Sequence, residues 1–363
     1  PNKHTKQYTY LVVKFSINGK FTDAQHEMYN KGLKALFKLK KCFSGHKPKI
    51  KTLIHVFDHT VKSVLMYGSE IWGDINFHKL NTQGDNYFKK LCGDLAVEKA
   101  HLSFCKFILG VSKKATNIAV MGELGRYPLF LEVLLNMFKY YIRLKKSDDL
   151  LLKEAFNLSK SLHDEQKKSW YTSIQTLFKY FSINENYALN LKTKLKNYLC
   201  KKMQSKYDLI WQTELNNDFR GNKLYGNKLR TYRLFKSRFC LENYLLQENF
   251  RYRHYLTKFR ISAHDLEIER GRYKNLTVSE RICKLCGTEV EDEIHFLLQC
   301  HKLSNIRFNF LNEIKQRFKN FSGLDIKSQF IWLMSSEDTF ILQKLGELLE
   351  NLSSYRKVSL NDI

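Results

Sequence analysis

The stretch "RICKLCGTEVEDEIHFLLQC", residues 281–300, decides how the C-terminal part of this chain can fold. It contains three of the eight cysteines and one of the twelve histidines. Cys283 and Cys286 bracket two residues, His295 follows after eight more, and Cys300 follows after another four. Thiolates and an imidazole at such spacing are the ligands of a tetrahedral structural zinc site. The spacing therefore predicts zinc bound by these four side chains.

The residues between the ligands support this prediction. Gly287 directly follows Cys286 and can adopt the positive φ that a tight turn around a metal requires. Residues 291–300 read as a short helix with acids at its start. Five residues correspond to about 140° of rotation in an α-helix, so we expect the helix to end or loosen at Cys300. Such a small knuckle is expected to fold only with its metal, while the preceding helices fold without it.

Other interpretations of these residues remain open. Cys283 and Cys286 could form a redox pair, although no strand-helix context surrounds them. The four residues could be core residues by chance, or form a disulfide, and His301 could replace Cys300 as a ligand. The other cysteines are isolated, which is typical of buried thiols in a reducing compartment and disfavours a disulfide. They are Cys42, Cys92, Cys105, Cys200 and Cys240.

Composition indicates a polyanionic partner. The chain has 363 residues, 43% of them hydrophobic, and a net charge of +25. A core is therefore feasible, and the excess of cations favours nucleic acid over a merely solvated surface. We find no secretory signal and no apolar run of about 18 residues that could span a membrane. The sequence thus predicts an intracellular protein without a membrane partner.

The predicted fold class is mainly α, with a short N-terminal β-hairpin, helical regions and a small zinc knuckle near the C-terminus. Asn18-Gly19 lies between strand-like residues and predicts the hairpin turn. Thr22 and Gln25 form a capping-box pattern, and Ser335 or Ser336 is expected to cap the last helix. Gly221 and Gly226 predict a break between helices. Helices are predicted over 22–41, 51–72, 98–109, 116–124, 128–146 and 303–318.

Four blocks, taken together, resemble the C-terminal part of LINE-type (non-LTR) retrotransposon reverse transcriptases in both order and spacing. They are "SVLMYGSEIWG" at 63–73, "EKAHLSFCKFILGVSKKATNIAVMGELGRYPL" at 98–129, "LTKFRISAHDLEIERGRY" at 256–273, and the stretch at 281–300. The resemblance implies that residues 1–21 end the polymerase palm and that 22–150 form a thumb-like helical region. It also implies a helical linker at 151–270, a Cys-Cys-His-Cys zinc knuckle at 271–305 and a helical tail at 306–363. The chain opens without methionine, so we expect a fragment of a longer polyprotein.

The resemblance also implies that this chain is not itself an enzyme. Polymerase chemistry needs carboxylates that hold two magnesium ions, and the family places one pair in a Tyr-x-Asp-Asp turn of the missing palm. Asp148-Asp149 is the only adjacent aspartate pair, and we interpret it as a helix cap. The Pro-Asp motif of some relatives' endonuclease is missing, because no proline follows Pro128. Magnesium is therefore expected only in the palm, and no small-molecule substrate is expected.

The expected partners are element RNA and target DNA, held while a nicked target strand primes synthesis in a ribonucleoprotein of the cytoplasm and nucleus. Phe259 and Tyr273 lie among the basic residues before the knuckle and could stack on bases. Alternatively, Phe259 and Ile261 are core residues and the charges form a solvated face. The predicted nucleic-acid contacts are Lys258, Arg260, Arg270, Arg272, Lys274, Arg281 and Lys284, with Lys34, Lys38 and Lys41 in the thumb-like region.

A protein of another class also fits the sequence. A domesticated or decayed relative could act as a zinc-binding protein–protein adaptor, in which the aromatic residues of the helical middle bury a partner's helix. These residues are Trp170, Tyr171, Phe178, Tyr180 and Phe181.

Overall fold

A computed structural model of the chain describes residues 7–17, 19–43, 45, 48–191, 193–217, 227–247 and 251–361. It has 71% helix and 3% strand, which confirms the mainly α fold with an N-terminal hairpin. Asn18 of the predicted turn and the predicted break at Gly221 and Gly226 lie outside the described residues. Within the described part of the chain, none of the helices combines the length and the apolar character that a membrane span requires.

The elements follow one another along the chain as a hairpin and then a series of helices. The strands are β1 (Gln7–Tyr10) and β2 (Val13–Ser16). The first helices are α1 (Thr22–Cys42), α2 (Ile50–Leu65), α3 (Ser69–Trp72), α4 (His78–Asp94), α5 (Ala96–Ile108), α6 (Asn117–Leu124), α7 (Leu129–Lys146), α8 (Leu150–Asp164), α9 (Trp170–Tyr180), α10 (Glu185–Asn190) and α11 (Leu195–Asn216). The later helices are α12 (Tyr232–Phe235), α13 (Arg253–Arg260), α14 (Glu267–Tyr273), α15 (Ser304–Arg317), α16 (Ile326–Ser335) and α17 (Thr339–Asn361).

The hairpin turn lies elsewhere than the sequence predicts. β1 and β2 pair antiparallel through a two-residue turn at Leu11 and Val12, whose φ angles are 43° and 73°. Positive φ at both positions matches the twist of a tight hairpin, although neither residue is a glycine. This register places Tyr8 opposite Phe15, an aromatic cross-strand pair that stabilises a ribbon. The prediction of a hairpin is therefore confirmed, with its turn at residues 11–12, whereas Asn18 of the predicted turn lies outside the described residues.

The chain divides into two compact units. Unit 1 consists of Pro1–Phe104 and Tyr127–Ile210, and unit 2 consists of Cys105–Arg126 and Trp211–Ile363. The predicted boundaries at 150, 270 and 305 do not coincide with these units. The sequence assigned residues 105–126 to the thumb-like region, whereas their helix α6 is buried within unit 2.

The core of unit 1 is built around α7, which is buried over most of its circumference. The carboxylate of fully buried Glu98 accepts a hydrogen bond from Phe130 N at 2.6 Å, and so caps the start of α7. Helices α1 and α2 pack closely at Gly32, where an added Cβ would lie 2.2 Å from Leu65 Cδ2. This close contact explains a glycine in the middle of α1.

In unit 2, α17 packs against α13 and α15, and α12 packs against α16. The predicted stop of α6 at Gly125 is confirmed, with φ at +56°. An added Cβ on Gly125 would lie 2.4 Å from the backbone nitrogen of Leu241, next to a bridge between Leu124 and Leu241. Only glycine therefore fits this position.

Helix caps show where local sequence rules hold. Asp149 Oδ1 accepts a hydrogen bond from Leu152 N at 2.9 Å, which confirms that this aspartate caps α8. The predicted capping box at the start of α1 is wrong, because Gln25 donates instead to the carbonyl of Trp72. The predicted serine cap of the last helix is also wrong. Asp338 Oδ1 accepts hydrogen bonds from the first backbone N–H groups of α17 at 2.8 and 3.1 Å.

Candidate metal centre

The four predicted ligands meet at one point in unit 2. The ligand atoms of Cys283, Cys286, His295 and Cys300 all lie within 4.8 Å of one another. The Sγ atoms of Cys283 and Cys300 are 3.9 Å apart, and Cys286 Sγ lies 3.5 Å from His295 Nε2. A tetrahedron with usual zinc bond lengths has edges of about 3.8 Å between sulfurs and about 3.5 Å between sulfur and nitrogen. This group can therefore hold a metal ion.

A short antiparallel bridge positions the first two ligands. Cys283 N donates to the carbonyl of Glu289 at 2.7 Å, beside the bridge between Ile282 and Val290. Gly287, at φ +71°, donates its N–H to the carbonyl of Cys283 at 2.8 Å. The backbone thus reverses between the cysteines, and the positive φ expected at Gly287 is confirmed.

A π-helical turn over His295–Gln299 positions the other two ligands. Cys300 N donates to the carbonyl of His295 at 2.8 Å, five residues back. An α-helix would rotate Cys300 away from His295 by about 140°, but the wider π-turn brings residues five apart towards one face. The predicted loosening at Cys300 is confirmed, and the helix ends there with ψ at 116°.

Glu289 orients the histidine ligand. Its carboxylate lies 2.8 Å from His295 Nδ1 and accepts a hydrogen bond from the Nδ1–H group. The other ring nitrogen, Nε2, therefore carries no proton and faces the sulfur of Cys286. A carboxylate behind a ligating histidine fixes the tautomer and makes the ligand more basic. The sequence did not predict this role of Glu289. The recurrence of glutamate at 289, 291 and 293 is the signal that could have indicated it.

The three thiols differ in how readily they ionise. Burial raises the pKa of Cys283 to about 12 and also raises the pKa of Cys300. Burial also disfavours the Cys286 thiolate, but hydrogen bonds from the Thr288 hydroxyl and from nearby backbone N–H groups lower its pKa to about 6. Three neighbouring thiolates repel one another and are stable in this buried place only with a cation. Since protons compete with a metal ion for the sulfurs, metal affinity should fall as the pH is lowered.

Glu291 connects the ligand loop to α17. Its fully buried carboxylate lies 3.8 Å from Cys283 Sγ and accepts hydrogen bonds from Arg356 at 2.6 and 2.7 Å. It also accepts the backbone N–H of Glu267 at 2.7 Å. A bidentate arginine–carboxylate pair is among the stronger polar contacts in a protein. The last helix is therefore attached to the loop that carries the ligands.

Glu293 connects the same loop to two other segments. Both of its oxygens lie 2.7 Å from Arg230, and it also accepts from Ser262 at 2.8 Å and contacts His264 Nε2 at 2.9 Å. Burial alone would raise the pKa of Glu293, but Arg230 and His264 hold it well below its usual range. The sequence predicted that Glu291 and Glu293 lie at the start of a short helix, within a knuckle that folds separately. The structure instead uses these acids to build the knuckle into unit 2.

Two of the predicted nucleic-acid contacts are wrong. Arg260 is 3% exposed, and it donates to Glu123 at 3.0 and 3.1 Å and to Glu242 at 2.7 Å. Arg281 is fully buried and donates to the backbone carbonyls of Ile268 and Leu276 at 2.8 Å. Neither guanidinium can reach a phosphate, because each is enclosed and occupied by the protein's own acceptors.

The core alternative for the neighbouring apolar residues is confirmed. Phe259 is 4% exposed and Ile261 is fully buried, so Phe259 is not a stacking platform for bases. Arg272 is half-buried and its Nε lies 3.2 Å from the Glu269 carboxylate. Its primary contact is therefore within the protein. Lys258 is half-buried and lines a cavity between α13 and α17.

The other predicted contacts near the knuckle share one surface, which we call the α14 surface. It consists of Arg270, Tyr273, Lys274 and Lys284, all of which are exposed. Arg270 Nε and Lys284 Nζ lie 3.8 and 3.6 Å from the same oxygen of Glu267, so the two cations are neighbours. Tyr273 and Lys274 follow Arg270 by three and four residues, which places them on the same side of α14. Tyr273 is 63% exposed.

The predicted thumb contacts lie on α1 in unit 1. Lys34, Lys38 and Lys41 are exposed at helical spacing, with Phe37 between them at 66% exposure. Lys31 of the same helix pairs with Glu27 at 2.7 Å. The exposed residues therefore form a second cationic surface with an aromatic ring, within the other unit.

The fold and the site define a mainly helical protein with a Cys₃His cluster that can hold a metal ion. No protein-family model, no curated protein and no solved structure matches this chain. The function is therefore inferred from the residues of the chain itself.

Proposed function

We propose that this chain is a nucleic-acid-binding part of a LINE-type retrotransposon reverse transcriptase, organised around a structural zinc ion. It would hold template RNA and primer DNA in a ribonucleoprotein of the cytoplasm and nucleus during target-primed synthesis. The order and spacing of four sequence blocks support the family, and the ligand distances support zinc. Polymerase and nuclease chemistry would belong to other parts of the parent protein.

The observation that carries this proposal is the position of the α14 surface beside the metal centre. Lys284 lies between the ligands Cys283 and Cys286, and its Nζ reaches the same glutamate oxygen as Arg270. A metal that fixes the Cys-x-x-Cys turn would therefore also fix the position of Lys284 next to Arg270. Three thiolates and one imidazole complete a tetrahedral shell and leave no position for water, so the zinc would organise the surface and perform no chemistry.

The aromatic residue of the α14 surface adds a contact that does not depend on charge. The ring of Tyr273 is exposed, with Lys114 Nζ 4.4 Å from its centroid. Stacking of a base on such a ring is worth about 1–3 kcal/mol. Cations that hold phosphates and a ring that holds a base together suit a single strand better than a regular duplex.

The proposal predicts a steep salt dependence of RNA binding. Fluorescence anisotropy with a single-stranded 20-nucleotide RNA should show log affinity falling linearly with log salt, by about 0.7 per phosphate neutralised. Replacing Arg270, Lys274 and Lys284 with glutamine should reduce the slope by about 2, because about three phosphate contacts are lost.

A matched control removes the same charge elsewhere in unit 2. Lys315, Lys319 and Lys327 are exposed, and their replacement by glutamine should leave the slope nearly unchanged. A flat salt response in the wild-type protein would rule out the proposed function. Equal effects of the two triple variants would rule out a specific role for the α14 surface.

A protein–protein adaptor is the second candidate, although on a different surface from the one predicted. Tyr171, Phe178 and Phe181 are 8%, 5% and 4% exposed, so these aromatic residues are core and cannot receive a partner's helix. In contrast, Leu151 and Leu158 of α8 are 75% and 63% exposed, seven residues apart on one face. An apolar partner on this face would bind with little dependence on salt, which distinguishes the two candidates.

A further inference from the structure

A cavity of about 510 Å³ opens between α13 and α17 in unit 2. Lys258 from α13 and Lys357 from α17 both line it. Among the described residues, the side-chain ammonium groups of these two lysines have neither an ion-pair nor a hydrogen-bond partner. Two cations on one cavity without a counter-ion repel each other, and an anionic ligand would remove that repulsion.

The rest of the lining fits a phosphate with an organic group attached. Ser353 and Ser354 of α17 line the cavity, and within the described residues neither hydroxyl makes a side-chain hydrogen bond. Tyr255 and Phe259 contribute aromatic rings to the lining. The volume lies within the range of about 300–1,000 Å³ that is usual for small-molecule sites.

The acid and the histidine of the lining already have partners. Asp265 Oδ2 lies 4.0 Å from Arg356 Nη1, and this carboxylate is 84% exposed. His264 Nε2 contacts the Glu293 carboxylate at 2.9 Å. The charge that remains uncompensated in the cavity is therefore that of Lys258 and Lys357.

We propose that this cavity binds the phosphate of one nucleotide between Lys258 and Lys357, with the serine hydroxyls donating to its oxygens. Charge-assisted hydrogen bonds from two lysines and two hydroxyls suit the three peripheral oxygens of a phosphate. The nucleotide could be free or part of a bound single strand. The second source rests on the proposed function, whereas the phosphate chemistry is the same for both.

The loop that carries the metal ligands also holds both walls of the cavity. Glu291 binds Arg356 in the segment of α17 that contains Ser353, Ser354 and Lys357. Glu293 contacts His264, which follows α13. Buried ion pairs of one loop thus hold both walls of the site, while Lys357 and Ser354 stay exposed to solvent and accessible to a ligand.

The test is ³¹P NMR of uridine monophosphate titrated with the full zinc-loaded chain. We expect line broadening with the wild-type protein, and an affinity lower by at least about tenfold for the variant Lys258→Gln/Lys357→Gln. The control variant Lys315→Gln/Lys319→Gln removes the same charge outside the cavity and should keep the wild-type affinity. No broadening with the wild-type protein, or equal losses in both variants, would overturn the proposal.

A competition arm separates the two sources of the phosphate. If single-stranded RNA displaces uridine monophosphate, the site takes a nucleotide of the strand. If uridine monophosphate binds and RNA does not displace it, the site serves a free nucleotide. If RNA fails to bind at all while uridine monophosphate still broadens, the proposed function fails and the phosphate site stands.

Discussion

The variant Cys283→Ser is expected to lose the fold of the whole of unit 2, and not only that of residues 280–302. Cys283 is fully buried, and its loop places Phe296 and Leu297 in the core at 2% and 0% exposure. Structural zinc contributes about 10–16 kcal/mol in small zinc-binding peptides, whereas whole domains are stable by about 5–15 kcal/mol. Loss of the metal would therefore exceed the stability available to the unit.

The reason for this wide effect is the ion pairing of the ligand loop. Glu291 and Glu293 are buried against Arg356 and Arg230, and a disordered loop would take these two carboxylates away from the arginines. Breaking a buried pair on one side costs about 3–5 kcal/mol. The sequence alone predicts local unfolding, because contacts between residues so far apart along the chain are not evident from it.

Hydrogen exchange with mass spectrometry would measure this effect. In Cys283→Ser, and in chelator-treated wild-type protein, protection should be lost in α13 and α17 and kept in α7 of unit 1. Cys240→Ser is the matched control, since Cys240 is an exposed cysteine of the same unit. Its stability should change by less than about 0.5 kcal/mol. Loss of protection confined to residues 280–302 would show that the knuckle folds separately.

The second large effect is expected from Arg260→Leu, which should destabilise unit 2 by about 3–5 kcal/mol. The guanidinium of Arg260 lies between Glu123 and Glu242, and Glu123 is fully buried. Burial alone would lower the pKa of Arg260, but these two carboxylates raise it, so the charge is retained in the core. Without the arginine, the Glu123 carboxylate is buried without its counter-ion.

Urea unfolding would measure the loss, with Lys258→Leu as a control two residues earlier that should change stability by less than about 0.5 kcal/mol. The double variant Arg260→Leu/Glu123→Leu should recover part of the stability, because it removes the uncompensated carboxylate. If Arg260→Leu kept its stability but lost RNA affinity, this arginine would be a nucleic-acid contact after all.

The metal ligands could be predicted from the sequence because their chemistry is local. Cys283 and Cys286 share one turn, and the glycine after them shows where the backbone reverses. The five-residue separation of His295 and Cys300 conflicts with an α-helix, and this conflict predicted the loosening that the π-turn provides. Local rules also gave the stop of α6 at Gly125 and the aspartate cap of α8.

The burial of the arginines could not be predicted from the sequence, because it depends on acidic partners far along the chain. Arg260 pairs with Glu123, 137 residues away, and Arg356 pairs with Glu291, 65 residues away. A basic residue beside an apolar one looks the same in the sequence whether it faces solvent or a buried acid. Their position beside the knuckle, with aromatic residues among them, therefore predicted Arg260 and Arg281 as surface contacts.

The division into two units was missed for a similar reason. Unit 2 takes up residues 105–126 because α6 carries Glu123 to Arg260 and provides the Ile118 carbonyl that accepts from Trp211 at 3.0 Å. No composition change marks these positions. The sequence placed the hairpin turn at Asn-Gly, whereas the observed register, with Tyr8 opposite Phe15, places it at residues 11–12.

Cys283, Cys286, His295 and Cys300 are expected to bind one zinc ion together. Native mass spectrometry of the full chain under reducing conditions tests it most directly. The structure predicts one zinc per wild-type chain and none in the variant Cys283→Ser/Cys286→Ser, with the zinc retained in Cys240→Ser. A folded, reduced wild-type chain that carries no zinc in the presence of excess zinc would contradict the claim.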